Sequence, residues 1–287
     1  MPHITSHDGV RLYYEEAGSG SPVVFVHEYA ADYRTWEPQM RRFSRSHRCV
    51  TYSQRSYPPS DIPNDPDKYS QDCFRDDVIA VMDALKIGKA HVVGHSMGAL
   101  TALLVGIEYP QRCLSVTAAG CGYGSSADKK VVEETRAVSR ETGKMFAKTA
   151  MADAAKLYGD GPTRQAHKNK DPRGYAEFIR MLSEHSAHGH SLTMLNLQAK
   201  RPTLWDVEAD LKKFKPPLLV VVGDEDDWCV EASIFLRRTA PTAGLAVIPR
   251  TGHTLTSEEP DRFNAELAEF FSAAEAGRWL AHKPASG

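Results

Sequence analysis

No stretch of this 287-residue chain comes near eighteen uninterrupted apolar residues, so no segment reads as a membrane-spanning helix. The opening MPHITSHDGVRLYYEE is polar and charged and lacks the apolar core of a secretory leader. Cysteine is sparse. The five present (Cys49, Cys73, Cys113, Cys121, Cys229) are scattered, odd in number and without C-x-x-C spacing. That pattern argues against a disulfide frame or a cysteine-rich zinc site and for free thiols in a reducing compartment, with the cytoplasm as the expectation. Net charge is nearly absent too. Thirty-five Lys and Arg against 37 Asp and Glu leave a formal charge of -2, which gives no electrostatic footprint for nucleic acid or an anionic membrane. Internal repeats and low-complexity tracts are missing as well. The partner class left open is a small molecule.

What is present is ordinary for a globular chain: 41% hydrophobic and 25% charged residues, with enough length for one large core and an inserted subdomain. Short β-rich apolar runs recur at 23–26, 47–53, 91–94, 114–120, 218–223 and 245–249, after an alternating run that starts near Val10. Helix-like segments at 36–44, 69–85, 97–109, 230–239 and 260–273 separate them. Continuous apolar strands alternating with helices predict an α/β fold with a mostly parallel, doubly wound sheet covered on both faces. The first, alternating strand is expected to be antiparallel and at an edge. From 122 to 215 the rhythm breaks: the pattern is helical, interrupted by GDGP and KDPRG, and too long for a plain loop. The expected division is therefore a core of 1–121 and 216–287 with a helical lid insertion, 122–215, outside the carboxyl ends of the strands where ligands bind. Its apolar residues, Phe146, Tyr158 and Phe178 among them, are as readily the insertion's own core as a substrate wall. The tail LAHKPASG, 280–287, is expected to fray.

Two places carry chemistry. The strand HVVG runs into HSMGALTALLVG, which sets Ser96 in Gly94-His95-Ser96-Met97-Gly98 on a tight strand-to-helix turn. Small residues two before and two after let strand and helix nearly touch, and the helix N-terminus aims free N–H groups at the site. This marks Ser96 as a nucleophile. The second place is LLVVVGDEDDWCV, where a buried strand ends in four consecutive carboxylates. A solvated loop, a divalent-metal site, or one catalytic acid among three bystanders would each account for it.

With these motifs the chain resembles the α/β-hydrolase family over nearly all its length. VHEYAADYRTW resembles that family's His-Gly oxyanion loop, SQRSYPPSD its Arg-Gly-x-Gly-x-Ser segment, GDEDDWCV its acid turn and PRTGHTLTSEEP its histidine loop. The chain order Ser, acid, His is the order that fold uses. The resemblance implies a sheet of the α/β-hydrolase type and a triad needing no metal or cofactor. A serine hydroxyl needs a base to take its proton, and the base needs an orienting carboxylate. His253, after a strand end and a permissive Gly252, is the expected base. The resemblance puts the acid third after the glycine, at Asp226, with Asp227 the alternative. It also implies backbone oxyanion donors at Met97 and Tyr29, with His27 bracing the loop and His95 filling the variable elbow position. The run HSAHGH offers a weaker alternative, a zinc site of His185, His188 and His190.

The implied activity is hydrolysis of a small carboxylic ester, thioester or lactone through an acyl-enzyme on Ser96. Carbon–carbon bond hydrolysis of a ring-cleavage diketone is the rival within the fold, and a non-catalytic hydrolase-fold ligand receptor the rival outside enzymology. Three residues depart from the family's motifs: Glu28 stands where a glycine is usual, and Ser56 and Pro58 replace the two glycines after Arg55. A carboxylate beside a developing oxyanion must point away, be protonated or be neutralised. Arg55 is the expected partner, Arg34 the second choice, and open solvent the alternative.

Overall fold

The computed structural model describes residues 2–282. Its apolar runs are strands whose successive side chains enter two different cores. In β3 (Ser21–Val26), Val24 and Val26 join one buried cluster while Val23 and Phe25 join the other. The same division holds in β7 (Leu218–Gly223), with Leu218 and Val220 on one side and Leu219 and Val221 on the other. Period-two alternation between two covered faces is why these runs read as continuously apolar.

The remaining strands are β1 (His3–Thr5), β2 (Arg11–Ala17), β4 (His47–Tyr52), β5 (Ala90–His95), β6 (Cys113–Ala119) and β8 (Ala243–Ile248). They form one sheet in the order β1-β2-β4-β3-β5-β6-β7-β8. β2 is antiparallel to both neighbours, and the other pairings are parallel. One expectation needs correction: β2 is not the edge. The three-residue β1, too short for any periodicity to reveal, pairs outside it through His3–Tyr13, Ile4–Leu12 and Thr5–Arg11.

The helices are α1 (Glu37–Phe43), α2 (Gln71–Ala84), α3 (Met97–Glu108), α4 (Lys129–Lys148), α5 (Met151–Gly159), α6 (Gln165–Lys170), α7 (Pro172–Ser183), α8 (Ala187–Leu192), α9 (Glu208–Leu211), α10 (Asp227–Thr239), α11 (Leu255–Glu258) and α12 (Pro260–Glu275). Residues of α2, α3 and α10 fill one core; those of α1 and α12, including Trp36 just before α1, fill the other. Between β6 and β7 the described chain is helical and holds no strand. α4 buries Val132, Ser139, Gly143 and Phe146, a single stripe at helical spacing. A π-helical turn, Thr193–Gln198, continues α8. The helical stretch is pinched at a neck, where Arg201 Nη2–H donates to Tyr123 O at 2.8 Å and Leu204 N–H to Ser125 Oγ at 3.1 Å. Of the tail expected to fray, 283–287 lie outside the described residues, whereas the His282 N–H donates to Pro241 O at 2.8 Å.

Candidate active site

β5 lies between β3 and β6 at the middle of the sheet, and Ser96 follows it directly. Ser96 has φ 52° and ψ −109°, a left-handed conformation that costs a non-glycine residue and persists only where surroundings enforce it. The enforcement is visible. A β-carbon on Gly94 would overlap the Gly98 carbonyl, and one on Gly98 would overlap the Val26 carbonyl, so elbow, helix and β3 are in contact. The Ser96 N–H is tied to Ala119 O at 2.8 Å. The hydroxyl is thus held above the sheet, partly exposed.

The loop after β8 and the turn after β7 converge on it. Ser96 Oγ is 2.8 Å from His253 Nε2, and His253 Nδ1 is 2.8 Å from Asp226 Oδ2. His253 and Asp226 are buried, at 4% and 2% exposure. Burial opposes a charged imidazole, but the Asp226 carboxylate outweighs it and holds the His253 pKa above its ordinary value. Burial likewise opposes the Asp226 charge, and His253 outweighs it, holding that pKa below the ordinary range. The other three acids are exposed and do different work. Asp224 Oδ1 accepts the Thr251 N–H at 3.2 Å and Glu225 pairs with Arg250 at 3.0 Å, so both fasten the acid turn to the histidine loop. Asp227 opens α10, facing water.

Met97 is the first residue of α3, so its N–H has no acceptor within the helix. Tyr29 sits on the loop after β3, and its side chain shares one apolar cluster with Met97. His27 braces that loop as expected: its Nδ1–H donates to Glu28 O at 2.6 Å, and its Nε2 accepts the Gln54 N–H at 3.0 Å. His95 Nε2 lies 2.7 Å from His253 O, so the variable elbow position also steadies the histidine loop.

Glu28 does not pair with Arg55. Arg55 is buried against Asp77 at 2.6 Å and Asp8 at 2.7 Å, and Arg34 binds Asp32 at 2.6 Å and Glu184 at 2.5 Å. Nor does Glu28 face solvent, being 3% exposed. Its partner is Arg164, from the turn before α6: Nη1 to Oε1 is 2.8 Å and Nη2 to Oε2 is 2.5 Å. Burial would raise the Glu28 pKa, but the Arg164 guanidinium holds it down at about 2. Arg164 is itself sandwiched, with its guanidinium carbon 5.5 Å from the Tyr158 ring centre and 5.1 Å from that of Phe178. A separation of 136 residues hid this pair from sequence reasoning.

Glu258 was also missed. Its buried carboxylate accepts the Gly252 N–H at 2.9 Å, the Thr254 N–H at 3.2 Å and the Thr254 hydroxyl at 2.7 Å, gripping the backbone on both sides of His253. The His-rich run does not form a three-histidine cluster. His188 turns to Asn64 Oδ1 at 2.9 Å, whereas His185 bridges His190 at 3.0 Å and Asp32 at 2.9 Å. Tyr29, Phe146, Phe178, Leu182 and Met194 lie in one buried cluster, so the helical stretch packs directly on the loop carrying Tyr29. A cleft of about 190 Å³ separates residues 162–166 of that stretch from Asp226, Trp228 and His253.

Among the described residues no helix is long and apolar enough to cross a membrane. The family model for the alpha/beta hydrolase fold matches residues 21–260. Epoxide hydrolase 1 of Caenorhabditis elegans is 36% identical over 104 residues, covering 36% of this chain and only 26% of that protein. The 2-hydroxy-6-oxo-6-phenylhexa-2,4-dienoate hydrolase of Burkholderia cepacia is 27% identical over 291 residues, 91% of each chain. Among solved structures, the N-acyl homoserine lactone degrading enzyme Est816 is 27% identical with a TM-score of 0.75, covering 94% of this chain and all of that one.

Proposed function

The chain belongs to the alpha/beta hydrolase fold family and is a hydrolase, and from that premise we propose that it cleaves a small carboxylic ester, thioester or lactone through an acyl-enzyme on Ser96. The observation that carries this reading is the unbroken line of two 2.8 Å contacts from Ser96 Oγ through His253 to Asp226. In the proposed sequence His253 Nε2 takes the Ser96 proton as Oγ attacks the carbonyl carbon. Asp226 stabilises the imidazolium, and the N–H groups of Met97 and Tyr29 receive the oxyanion. The imidazolium then protonates the leaving alcohol, thiol or lactone oxygen. Water, deprotonated by the same nitrogen, releases the acid and restores Ser96.

Residues 122–215 act in this reading as a lid that selects the substrate. The Arg164–Glu28 pair supports it, as does the Tyr123 ring, whose centre is 6.4 Å from that of His253. Lactones are supported by the Est816 likeness. The Burkholderia cepacia relative supports the second reading, carbon–carbon hydrolysis of a ring-cleavage diketone by the same three residues. The five free cysteines fit a reducing, cytoplasmic setting. A fluorophosphonate should label the wild-type protein once, on Ser96. A panel of p-nitrophenyl esters, lactones and diketones should find a substrate whose turnover falls by several orders of magnitude in Ser96→Ala. An adduct elsewhere, or an active Ser96→Ala, overturns the assignment.

A further inference from the structure

Cys229 takes no part in the proposed reaction, yet its sulfur sits behind the triad. Sγ is 3.8 Å from His253 Nδ1, on the side of the imidazole away from Ser96. One ligand atom each from Asp226, Cys229 and His253 all lie within 4.8 Å of one another, and all three residues are buried. Tetrahedral zinc, with Zn–N near 2.0–2.1 Å, Zn–S near 2.3 Å and Zn–O near 2.0–2.2 Å, sets its ligand atoms roughly 3.3–3.6 Å apart. The sulfur–nitrogen separation is already close to that. The His253–Asp226 contact of 2.8 Å would open by about half an ångström, on the geometry of the same bond lengths. A second observation points the same way: Asp226 Oδ1 is buried and has no hydrogen-bond partner. Gly120, next to the imidazole, has φ +53° and no side chain. A β-carbon there would stand 3.4 Å from His95 Cδ2 and Leu255 Cδ2 and 3.5 Å from His253 Cε1, and the Gly120 carbonyl accepts the Cys229 thiol at 3.4 Å. The 190 Å³ cleft is lined by two of the three ligands, Asp226 and His253, whereas Cys229 lies buried behind them.

We infer that Asp226, Cys229 and His253 form an inhibitory site for zinc or a similar borderline-soft divalent cation. Thiolate, imidazole and carboxylate together select such ions over calcium or magnesium. On binding, the Cys229 thiol gives one proton to solvent as the S–Zn bond forms. The His253 proton shifts from Nδ1 to Nε2 as Nδ1 takes the metal. The nitrogen facing Ser96 then carries a hydrogen and cannot accept the serine proton. The metal therefore switches catalysis off without touching the nucleophile.

The existence of the site is independent of the proposed reaction; only its inhibitory consequence rests on it, and the two are read separately. Cobalt(II) added to the whole protein should give a thiolate-to-cobalt charge-transfer band at one equivalent, displaced by zinc and absent in Cys229→Ala. On whichever substrate the panel yields, micromolar zinc should lower wild-type turnover at least tenfold, with full recovery on chelation. Cys229→Ala should keep its basal activity and need at least tenfold more zinc for the same inhibition. No cobalt band in the wild-type protein overturns the site, a result that needs no variant to fold. Equal zinc sensitivity of wild type and Cys229→Ala overturns the role of the sulfur.

Discussion

Replacing Arg164 by Met keeps an unbranched, apolar stem between Tyr158 and Phe178 and deletes the charge that Glu28 faces. Glu28 and Arg164 have side-chain exposures of 4% and 1%, so water cannot take over. Removing one partner of such a pair typically costs about 3–5 kcal/mol, because the other charge is left buried. For a domain of this size that is a fall in Tm on the order of 10 °C. The effect on turnover has a separate origin. Glu28 adjoins Tyr29, the proposed oxyanion donor, and an unneutralised carboxylate about 4 Å from a developing oxyanion repels it by roughly 4 kcal/mol at an effective dielectric of 20. That is about a thousandfold in rate. Without Arg164, burial raises the Glu28 pKa, so the loss should deepen as pH rises through that new value and the carboxyl ionises. The assay is a double-mutant cycle on kcat/KM and Tm with Arg164→Met, Glu28→Gln and the pair. Arg164→Met should be the worst of the three, and adding Glu28→Gln should recover at least tenfold in kcat/KM. An Arg164→Met protein within threefold of wild type, or a double variant no better than Arg164→Met alone, refutes the reasoning.

The two candidate acids separate cleanly: Asp226→Asn should lose on the order of 10⁴ in kcat and Asp227→Asn almost nothing, with the opposite ranking sinking the spacing argument. Because Asp226 holds the His253 pKa above its ordinary value, kcat/KM should rise with pH through a midpoint above the usual 6.5 or so of histidine. A midpoint below 6, or a flat profile from pH 5 to 9, would contradict a histidine base. The raised His253 pKa means the pair's contribution to stability declines as pH climbs through that folded-state value, and the depressed Asp226 pKa means it is also lost as pH falls through the folded-state value of Asp226, so it is greatest between the two. Glu258→Ala should strand the Gly252 and Thr254 N–H groups at about 1–3 kcal/mol each. It should lower kcat more than it raises KM, and Glu258→Gln should rescue part of the loss; equal damage from both variants would show that Glu258 does not position the base.

The sheet and the Ser96–His253–Asp226 constellation were legible because each signal is local. A strand, a turn and a helix stand within a dozen residues of Ser96, and Gly94 and Gly98 are demanded by contacts that the turn itself creates. Asp226 could be picked from four neighbouring acids only through family spacing, since nothing in GDEDD distinguishes the buried carboxylate from the exposed ones. Glu28 stood out as unusual, but its partner did not. The loop after β4 was a reasonable place to look for a cation, and Arg55 there is committed to Asp8 and Asp77 instead. β1 escaped because three residues carry no period, and Glu258 because a carboxylate that grips backbone N–H groups leaves no pattern in side-chain chemistry.

The neck at Tyr123–Ser125 and Arg201–Leu204 brings the two ends of the helical stretch together. Closing a loop at a fixed neck costs free energy that grows only logarithmically with its length, about 0.6 kcal/mol per doubling. Helical turns can therefore be added or removed there while the strand register below is undisturbed. If this stretch selects the substrate as proposed, drift or grafting could give the sheet a new specificity, provided the replacement also answers the contacts it makes with the core, among them Arg164–Glu28, Glu184–Arg34 and His185–Asp32. Any replacement must bring a cation to Glu28 or arrive with Glu28 already changed. With a graft that ignores this, the acyl transfer proposed above would stall at its first charged intermediate.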